Sequence, residues 1–289
     1  MQKPITEIIR QRYSCRTYQD KPIDEGQQHL LLNFLGSKSA GPLGARVRFA
    51  LVAATHRDRQ SLKGLGTYGF IRGAVGFIAG AAERAPRDLE DYGYLMEHAV
   101  VFATDLGLGT CWLGGTFSRS GFAKKIAVTA KEVMPAVVVV GYIAGGSKFR
   151  DWIRKGAGSD LRFPWESLFF NERFGEPLTP ERAGLYAEPL EMVRLAPSAS
   201  NKQPWRIVRV GDVWHFFLQR TKGYGKGSLL FRLLHLADLQ RVDMGIAMCH
   251  FELTARELGL TGHWVIDEPD MKKPDKSMEY TASWKRAVF

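Results

Sequence analysis

The chain has 289 residues, of which 45% are hydrophobic and 24% are charged. This composition excludes general disorder and is sufficient for one large core or two modest ones. The net charge of +10 attracts phosphates, but the long Lys/Arg blocks and the basic stripes interleaved with aromatics that are typical of nucleic-acid-binding proteins are missing from the sequence. We therefore interpret the charge as a preference for a phosphate-bearing small molecule.

Targeting and metal signals are weak throughout the sequence. The apolar stretch from Val133 to Ser147 contains Pro135 and three glycines, and it is shorter than the roughly 18 residues of a membrane span. The first ten residues lack the apolar run of a signal peptide. Three widely spaced cysteines and seven scattered histidines fit neither a disulfide framework nor a metal site. We expect a cytoplasmic protein with reduced thiols, without a metal and without membrane contact.

Hydrophobic spacing predicts helices and strands in the first half of the chain. In chain order these are helices around Ile5–Ile9 and Leu30–Leu35, strands over Arg48–Ala54 and Ala74–Ala82, a long helix over Leu89–Leu106 and a strand over Ala136–Ala144. The last strand is rich in valine and apolar on both faces, which is typical of the middle of a sheet. On the long helix, the adjacent Glu97 and His98 are interpreted as satisfied surface or interface groups.

The segment from Gly145 to Pro180 is rich in Gly, Pro and mixed charges, which predicts a connection with one short helix near Glu166–Phe170. After it, the same order of elements begins again. The predicted elements are a helix over Glu181–Leu195, strands over Trp205–Val210 and Val213–Gln219 around a Gly211-Asp212 turn, a helix over Leu236–Leu258, a strand over His263–Ile266 and an edge strand in the final TASWKRAVF.

Short motifs repeat together with the element order. Asp91-Tyr92-Gly93 recurs as Asp243-Met244-Gly245, and Trp112 recurs as Trp264, each 152 positions later. The alternative is a pair of unrelated helices that end in similar glycine caps. A duplication predicts a first half over residues 1–150, a connection over 151–180 and a second half over 181–289. The two long helices would then pack together as those of a symmetric dimer do.

Three segments carry residues suited to a ligand site. Arg12, Ser14 and Arg16 follow the first helix, where two guanidinium groups and a hydroxyl suit a phosphate, although a solvated face is the alternative. The loop Ala196–Trp205 offers hydroxyls, amides and backbone N–H groups, or is only a turn after a helix. The segment Leu106–Gly115 holds four glycines, which allow a ligand close to the backbone. Its spacing is not a dinucleotide fingerprint.

Together these segments resemble the flavin-binding nitroreductase family, which has an Arg-x-Ser-x-(Arg/Lys) element, a Pro-Ser-x-x-Asn-x-Gln-Pro-Trp loop and a glycine-containing loop after its central helix. The segment SDLRFPWESLFF is similar to the family segment whose basic residue meets the cofactor phosphate, here Arg162. The resemblance implies an α+β, nitroreductase-like fold, internally duplicated so that one chain mimics the family homodimer.

The resemblance also implies one flavin mononucleotide (FMN) site per chain, divided between the halves. The first half has the arginine element but replaces the Pro-Ser loop with SAGPLGARVRF, and the second half has that loop but no arginine element. The implied contacts are Arg12, Ser14, Arg16 and Arg162 with the phosphate, Pro197, Ser198, Ala199, Ser200 and Asn201 with the ring and ribityl chain, and Leu113, Gly114 and Gly115 with the reactive edge. Many family members have a carboxylate where this chain has Gly114.

The function implied is an FMN-dependent oxidoreductase that acts as a monomer. It would take hydride from NADH or NADPH and pass electrons to a nitroaromatic, a quinone or a similar acceptor in a ping-pong cycle, with no catalytic side chain of its own. The acceptor pocket is expected to involve Thr221–Phe231. The alternatives are a flavin-binding protein without turnover and a basic nucleic-acid-binding protein.

Overall fold

The computed structural model describes residues 1–54, 60–145, 161–224 and 237–287. The first half of the chain forms an antiparallel sheet with helices around it. Its elements are α1 (Ile5–Gln11), α2 (Glu25–Gly36), β1 (Val47–Ala53), β2 (Gly76–Glu83), α3 (Asp88–Asp105), β3 (Gly109–Leu113), α4 (Arg119–Lys125), β4 (Glu132–Val133) and β5 (Val137–Gly141). The strand order is β1-β2-β5-β3, and β4 pairs with β2.

The second half forms a sheet of its own. Its elements are β6 (Phe169–Asn171), α5 (Pro180–Ala183), α6 (Ala187–Leu195), β7 (Trp205–Val210), β8 (Val213–Gln219), α7 (Leu239–Glu257), β9 (Gly262–Val265) and β10 (Met278–Arg286). The strand order is β6-β7-β8-β10-β9, in which β6 is parallel to β7 and the other neighbours are antiparallel.

The two sheets have the same connectivity around their long helices. The order β1-β2-β5-β3 in the first sheet matches β7-β8-β10-β9 in the second. Each long helix follows the second strand in this order (β2 or β8) and leads to the strand at the end of it (β3 or β9). The chain then returns, and β5 or β10 lies between those two strands. Because β5 lies between β2 and β3, the predicted interior place of the valine-rich strand is confirmed.

Three predicted elements differ from the structure. The segment predicted as a helix at Glu166–Phe170 is a 3-10 turn followed by β6, since Phe169 is buried where β6 pairs with β7. The helix predicted over Glu181–Leu195 is interrupted at Gly184, which has a φ of 58°. The C-terminal strand is internal rather than at an edge, because β10 lies between β8 and β9 and is buried on both faces.

The helices α3 and α7 join the two sheets into one core. The helix α3 contacts the first sheet, α7 contacts the second, and the two helices contact each other. A Cβ atom at Gly93 would overlap the carbonyl oxygen of Val242, and a Cβ atom at Gly245 would overlap that of Glu90. Glycine is therefore required on both helices where their backbones cross.

We expect Gly245→Ala to lower the free energy of unfolding by about 1–3 kcal/mol or more, because the new methyl group meets a backbone carbonyl that cannot move alone. The matched control is Gly36→Ala at the end of α2, where a Cβ atom would have no neighbour within 4 Å. This substitution should raise the free energy of unfolding by up to about 1 kcal/mol. Urea denaturation measures both. Equal effects of the two substitutions would contradict the close crossing.

Candidate functional site

Two adjoining cavities lie where the two halves meet. The arginine cavity, of about 420 Å³, has Arg12, Arg16 and Arg162 in its walls. The Trp112 cavity, of about 410 Å³, is lined by Trp112 and by residues at the beginning of α7, among others. All twelve residues that the sequence analysis singled out line one or both cavities: Arg12, Arg162 and Asn201 the arginine cavity, Leu113, Gly114, Gly115 and Ala199 the Trp112 cavity, and Ser14, Arg16, Pro197, Ser198 and Ser200 both.

The arginine element follows α1 as extended chain beside β3. Ser14 forms a parallel bridge with Thr110, and the backbone N–H of Cys15 donates to the Thr110 carbonyl at 2.8 Å. In extended chain alternate side chains share a face, which brings Ser14 and Arg16 to the shared wall of the cavities. Among the described residues no carboxylate lies within ion-pair distance of Arg16. Its charge is therefore available to a ligand anion.

Arg162 ties the end of the connection to the second-half loop. Its guanidinium donates to the carbonyl of Leu161 at 2.9 Å and to that of Leu195, the last residue of α6, at 3.2 Å. The Asn201 amide donates to the same Leu161 carbonyl at 3.0 Å. The Gln203 side chain accepts from the Phe163 N–H at 2.8 Å. These hydrogen bonds hold Arg162 and the loop as one unit.

The loop before β7 has a strained backbone. Ser200, Asn201 and Gln203 have φ values of 51°, 52° and 45°, in the left-handed region that costs of order 1 kcal/mol or more for a residue with a side chain. The Ser198 hydroxyl accepts from the Gln203 N–H at 2.9 Å, and the Ser200 hydroxyl lies 3.3 Å from that of Tyr224. Strain that is held by local hydrogen bonds is typical of a ligand-binding loop.

Asp243 is a site residue that the sequence analysis missed, although the repeated Asp-x-Gly motif contains it. Its Oδ1 accepts from the Ala199 N–H at 2.9 Å, and it lines the Trp112 cavity. Its Oδ2 is buried and has no hydrogen-bond partner among the described residues. Burial raises the pKa of Asp243 well above its ordinary value. Burial therefore favours the neutral form of Asp243, which has one O–H to donate.

Asp91, at the corresponding place on α3, differs in one respect. Both of its oxygens accept backbone hydrogen bonds, from Leu43 at 2.8 Å and Ala45 at 2.7 Å, in the loop that precedes β1. Asp91 thus holds the loop before β1, and Asp243 holds the loop before β7. Only Asp243 keeps an oxygen that the loop does not use.

Trp112 is held in place by a buried hydrogen-bonded chain. Its indole N–H donates to Glu97 at 2.7 Å, and the other Glu97 oxygen lies 2.9 Å from Nε2 of His250. Nδ1 of His250 lies 2.8 Å from the carbonyl oxygen of Met192, so Nδ1 carries a proton, and a second proton is shared between Glu97 and Nε2. Glu97 is fully buried between α3 and α7. Of the two predicted alternatives, a surface or an interface group, the interface is therefore confirmed for Glu97.

Gly114 allows α7 to approach the glycine-rich segment. A Cβ atom there would overlap the side chain of Leu239, the first residue of α7. The Gly114 carbonyl also accepts from Arg119 at 3.4 Å, and Arg119 donates to the Met134 carbonyl at 2.9 Å. Any side chain at this position, including the carboxylate of the common family pattern, would require Leu239 to move.

The part of the chain that the structure describes contains no cluster of three or more His, Cys, Asp or Glu residues suited to a metal ion. Its helices include none with the length and apolar character of a membrane span. Of the predicted acceptor-pocket segment, residues 225–231 lie outside the described residues, whereas Tyr224 lines the Trp112 cavity.

The fold is similar to that of solved nitroreductases. A nitroreductase structure from Thermotoga maritima is 20% identical, covers 98% of this chain and 94% of its own, and superposes with a TM-score of 0.60. A nitroreductase family protein from Clostridium difficile (17% identity, 56% and 94% coverage, TM-score 0.42) and a Desulfovibrio desulfuricans nitroreductase in complex with FMN (23%, 51% and 92%, 0.40) also match. No curated protein matches the sequence.

The chain therefore has a nitroreductase-like fold, built from helices and two sheets. The family described as "Putative TM nitroreductase" matches residues 4–255, which is most of the chain. The chain belongs to this nitroreductase family, and the resemblance that the sequence motifs carry is confirmed.

We expect Glu97→Gln to change the free energy of unfolding by less than about 1 kcal/mol, because the amide still accepts from Trp112 and can donate to a neutral His250. Glu97→Leu should cost about 2–4 kcal/mol, since it leaves the Trp112 indole N–H and Nε2 of the buried His250 without their hydrogen-bond partner. Thermal and urea unfolding of the two variants separates these outcomes. If Glu97→Gln is as harmful as Glu97→Leu, the hydrogen-bonded chain is not what stabilises this region.

Proposed function

We propose that this chain binds one FMN and acts as an NAD(P)H-dependent oxidoreductase. The observation that carries the proposal is the contrast between the two adjoining cavities. One is rich in guanidinium groups contributed by the first half and by the connection, and the other has more apolar walls and is bordered by Asp243, whose Oδ2 has no hydrogen-bond partner among the described residues. A cofactor with a phosphate at one end and a flat, polar-edged ring system at the other matches this pair.

The residues divide into three groups by what they would hold. Arg12, Ser14, Arg16 and Arg162 would bind the phosphate, Pro197, Ser198, Ala199, Ser200 and Asn201 would contact the ribityl chain and the ring, and Leu113, Gly114 and Gly115 would border the reactive edge. A bound flavin supplies hydride acceptance from a reduced nicotinamide and electron donation to a nitroaromatic or quinone. The protein orients the ring and keeps an open face beside it.

Asp243 would add a hydrogen bond that the sequence motifs do not reveal. Its carboxyl is anchored by the Ala199 N–H, and its second oxygen, which is buried and accepts no hydrogen bond from the described residues, would be the group that meets the cofactor. The protonated acid can donate to a ring oxygen or nitrogen. In this role it positions the cofactor without taking part in the reaction.

We further propose that the chain is an internal duplication that replaces a homodimer, with halves at 1–150 and 181–289. The matching strand orders support it, as do the loop-holding aspartates and the crossing glycines, each pair 152 positions apart. Within the connection 151–180, β6 pairs with β7 and so extends the second sheet. A chain with its own dimer-like interface can function as a monomer in the cytoplasm.

We expect Arg16→Ala to weaken FMN binding by about 10- to 100-fold, the loss of one charge-assisted hydrogen bond to the phosphate. Riboflavin, which lacks the phosphate, should bind the variant and the wild type equally. The matched control is Arg173→Ala, whose side chain is 79% exposed. Fluorescence titration of flavin-free protein gives both affinities. An equal loss for FMN and riboflavin would place Arg16 elsewhere than at the phosphate.

We expect FMN binding to weaken as the pH rises through the raised pKa of Asp243, since the ionised group no longer donates and is left charged in a buried place. Asp243→Asn keeps one acceptor for Ala199 and a donor for the cofactor at every pH. It should bind FMN with an affinity close to that of the protonated wild type and without this pH dependence. If the variant has the wild-type pH profile, Asp243 does not contact the cofactor.

Turnover is tested separately from binding. With saturating FMN, we expect steady oxidation of NADH or NADPH that depends on an added quinone or nitroaromatic and gives the parallel-line kinetics of a ping-pong cycle. Full FMN occupancy without acceptor-dependent oxidation would reject the enzyme proposal and favour a flavin-binding protein without turnover.

A further inference from the structure

A third cavity, of about 490 Å³, shares several equivalent positions with the Trp112 cavity. We call it the Trp264 cavity. Trp264 is 152 positions after Trp112, and Tyr94 is 152 positions before Ile246, which lines the Trp112 cavity. The loop wall is contributed by Ala40–Pro42, in the loop that precedes β1. At these positions the Trp264 cavity corresponds to the Trp112 cavity, whereas Lys38, His98, Glu252 and Arg256 have no equivalent in the Trp112 cavity lining.

This counterpart has different charges. Its buried carboxylate, Glu252, accepts from the Trp264 indole N–H at 2.7 Å and from the Arg256 guanidinium at 2.7 Å. Lys38 also lines the cavity, and no carboxylate lies within ion-pair distance of it among the described residues. One carboxylate against two cations leaves an excess of one positive charge. The cavity has no counterpart of the cradle formed by Arg12, Arg16 and Arg162.

His98 adds a polar group without a partner. It lines the cavity, its ring meets that of Phe34 edge-on with the centroids 5.0 Å apart, and it makes no hydrogen bond within the described residues. Burial, followed by the charges of Lys38, the N-terminus and Arg256, lowers the pKa of His98 to about 4. The imidazole is thus neutral at pH 7 in an environment that favours an anion.

The remaining walls are apolar or aromatic. Tyr94 and Trp264 are each 8% exposed, and Leu95 and Leu253 lie beside them. An apolar wall with a few polar groups is the usual composition of a small-molecule pocket. The single excess positive charge of the Trp264 cavity fits a monoanion. A phosphate dianion is better suited to the arginine cavity, which has three guanidinium groups.

We propose that the Trp264 cavity binds a small aromatic monocarboxylate, whose carboxylate lies between Lys38 and Arg256 and whose ring lies against Tyr94 and Trp264. This proposal does not depend on flavin binding, because none of its residues lines the arginine or Trp112 cavities.

The test uses benzoate as the probe and the full chain saturated with FMN, so that the phosphate and ring positions of the first site are occupied. Calorimetry should give one benzoate per chain, and Lys38→Ala should weaken binding by about tenfold, the loss of one charge-assisted hydrogen bond. The matched control is Lys124→Ala on α4, away from the cavity. Arg16→Ala should leave benzoate binding unchanged.

A second readout locates the probe. Bound carboxylate offsets the charges of Lys38 and Arg256, so an NMR titration should show the pKa of His98 rising when benzoate is added. Acetate, which lacks the ring, should bind more weakly than benzoate. The proposal is overturned if benzoate does not bind, if FMN or Arg16→Ala abolishes its binding, if acetate binds equally well, or if the His98 titration does not move.

Discussion

The crossing of α3 and α7 at Gly93 and Gly245 is the contact on which the rest of the structure depends. Neither position leaves room for a Cβ atom, so the two backbones meet directly. An aspartate lies two residues before each glycine. Asp91 accepts hydrogen bonds from the loop before β1, and Asp243 accepts one from the loop before β7. The crossing therefore sets where both loops lie, and it brings the second-half loop to the arginine element of the first half.

The two sides of this crossing carry different electrostatics. On one side three guanidinium groups line a single cavity, next to Asp243, whose pKa is raised by burial. On the other side a buried carboxylate already accepts from Trp264 and Arg256, and Lys38 supplies the excess charge. Under the two binding proposals, this difference in charge is what lets one chain hold a different ligand in each cavity.

Local pattern was sufficient to predict the long helices and most strands, because apolar spacing and valine-rich runs are local properties. The twelve predicted site residues came from the family resemblance of three short motifs and of the Arg162 segment, and they all lie in the walls of the two adjoining cavities. The errors arose where distant contacts decide the structure. The final strand is internal because β9 pairs with it from outside, and Phe169 enters a strand because β7 lies beside it. The roles of Glu97 and Asp243 depend on partners that other segments of the chain supply, which no local motif reveals.

The central claim is that the two halves build one flavin site between them. The most direct measurement is the number of FMN molecules bound per chain, from the flavin absorbance of the saturated, gel-filtered protein against its amino-acid analysis, with the molecular mass in solution determined alongside. We expect one FMN per chain in a monomer. Two FMN molecules per chain would show that the counterpart cavity is also a flavin site, and no bound FMN would show that the arginine cavity serves another ligand; either result would contradict the account.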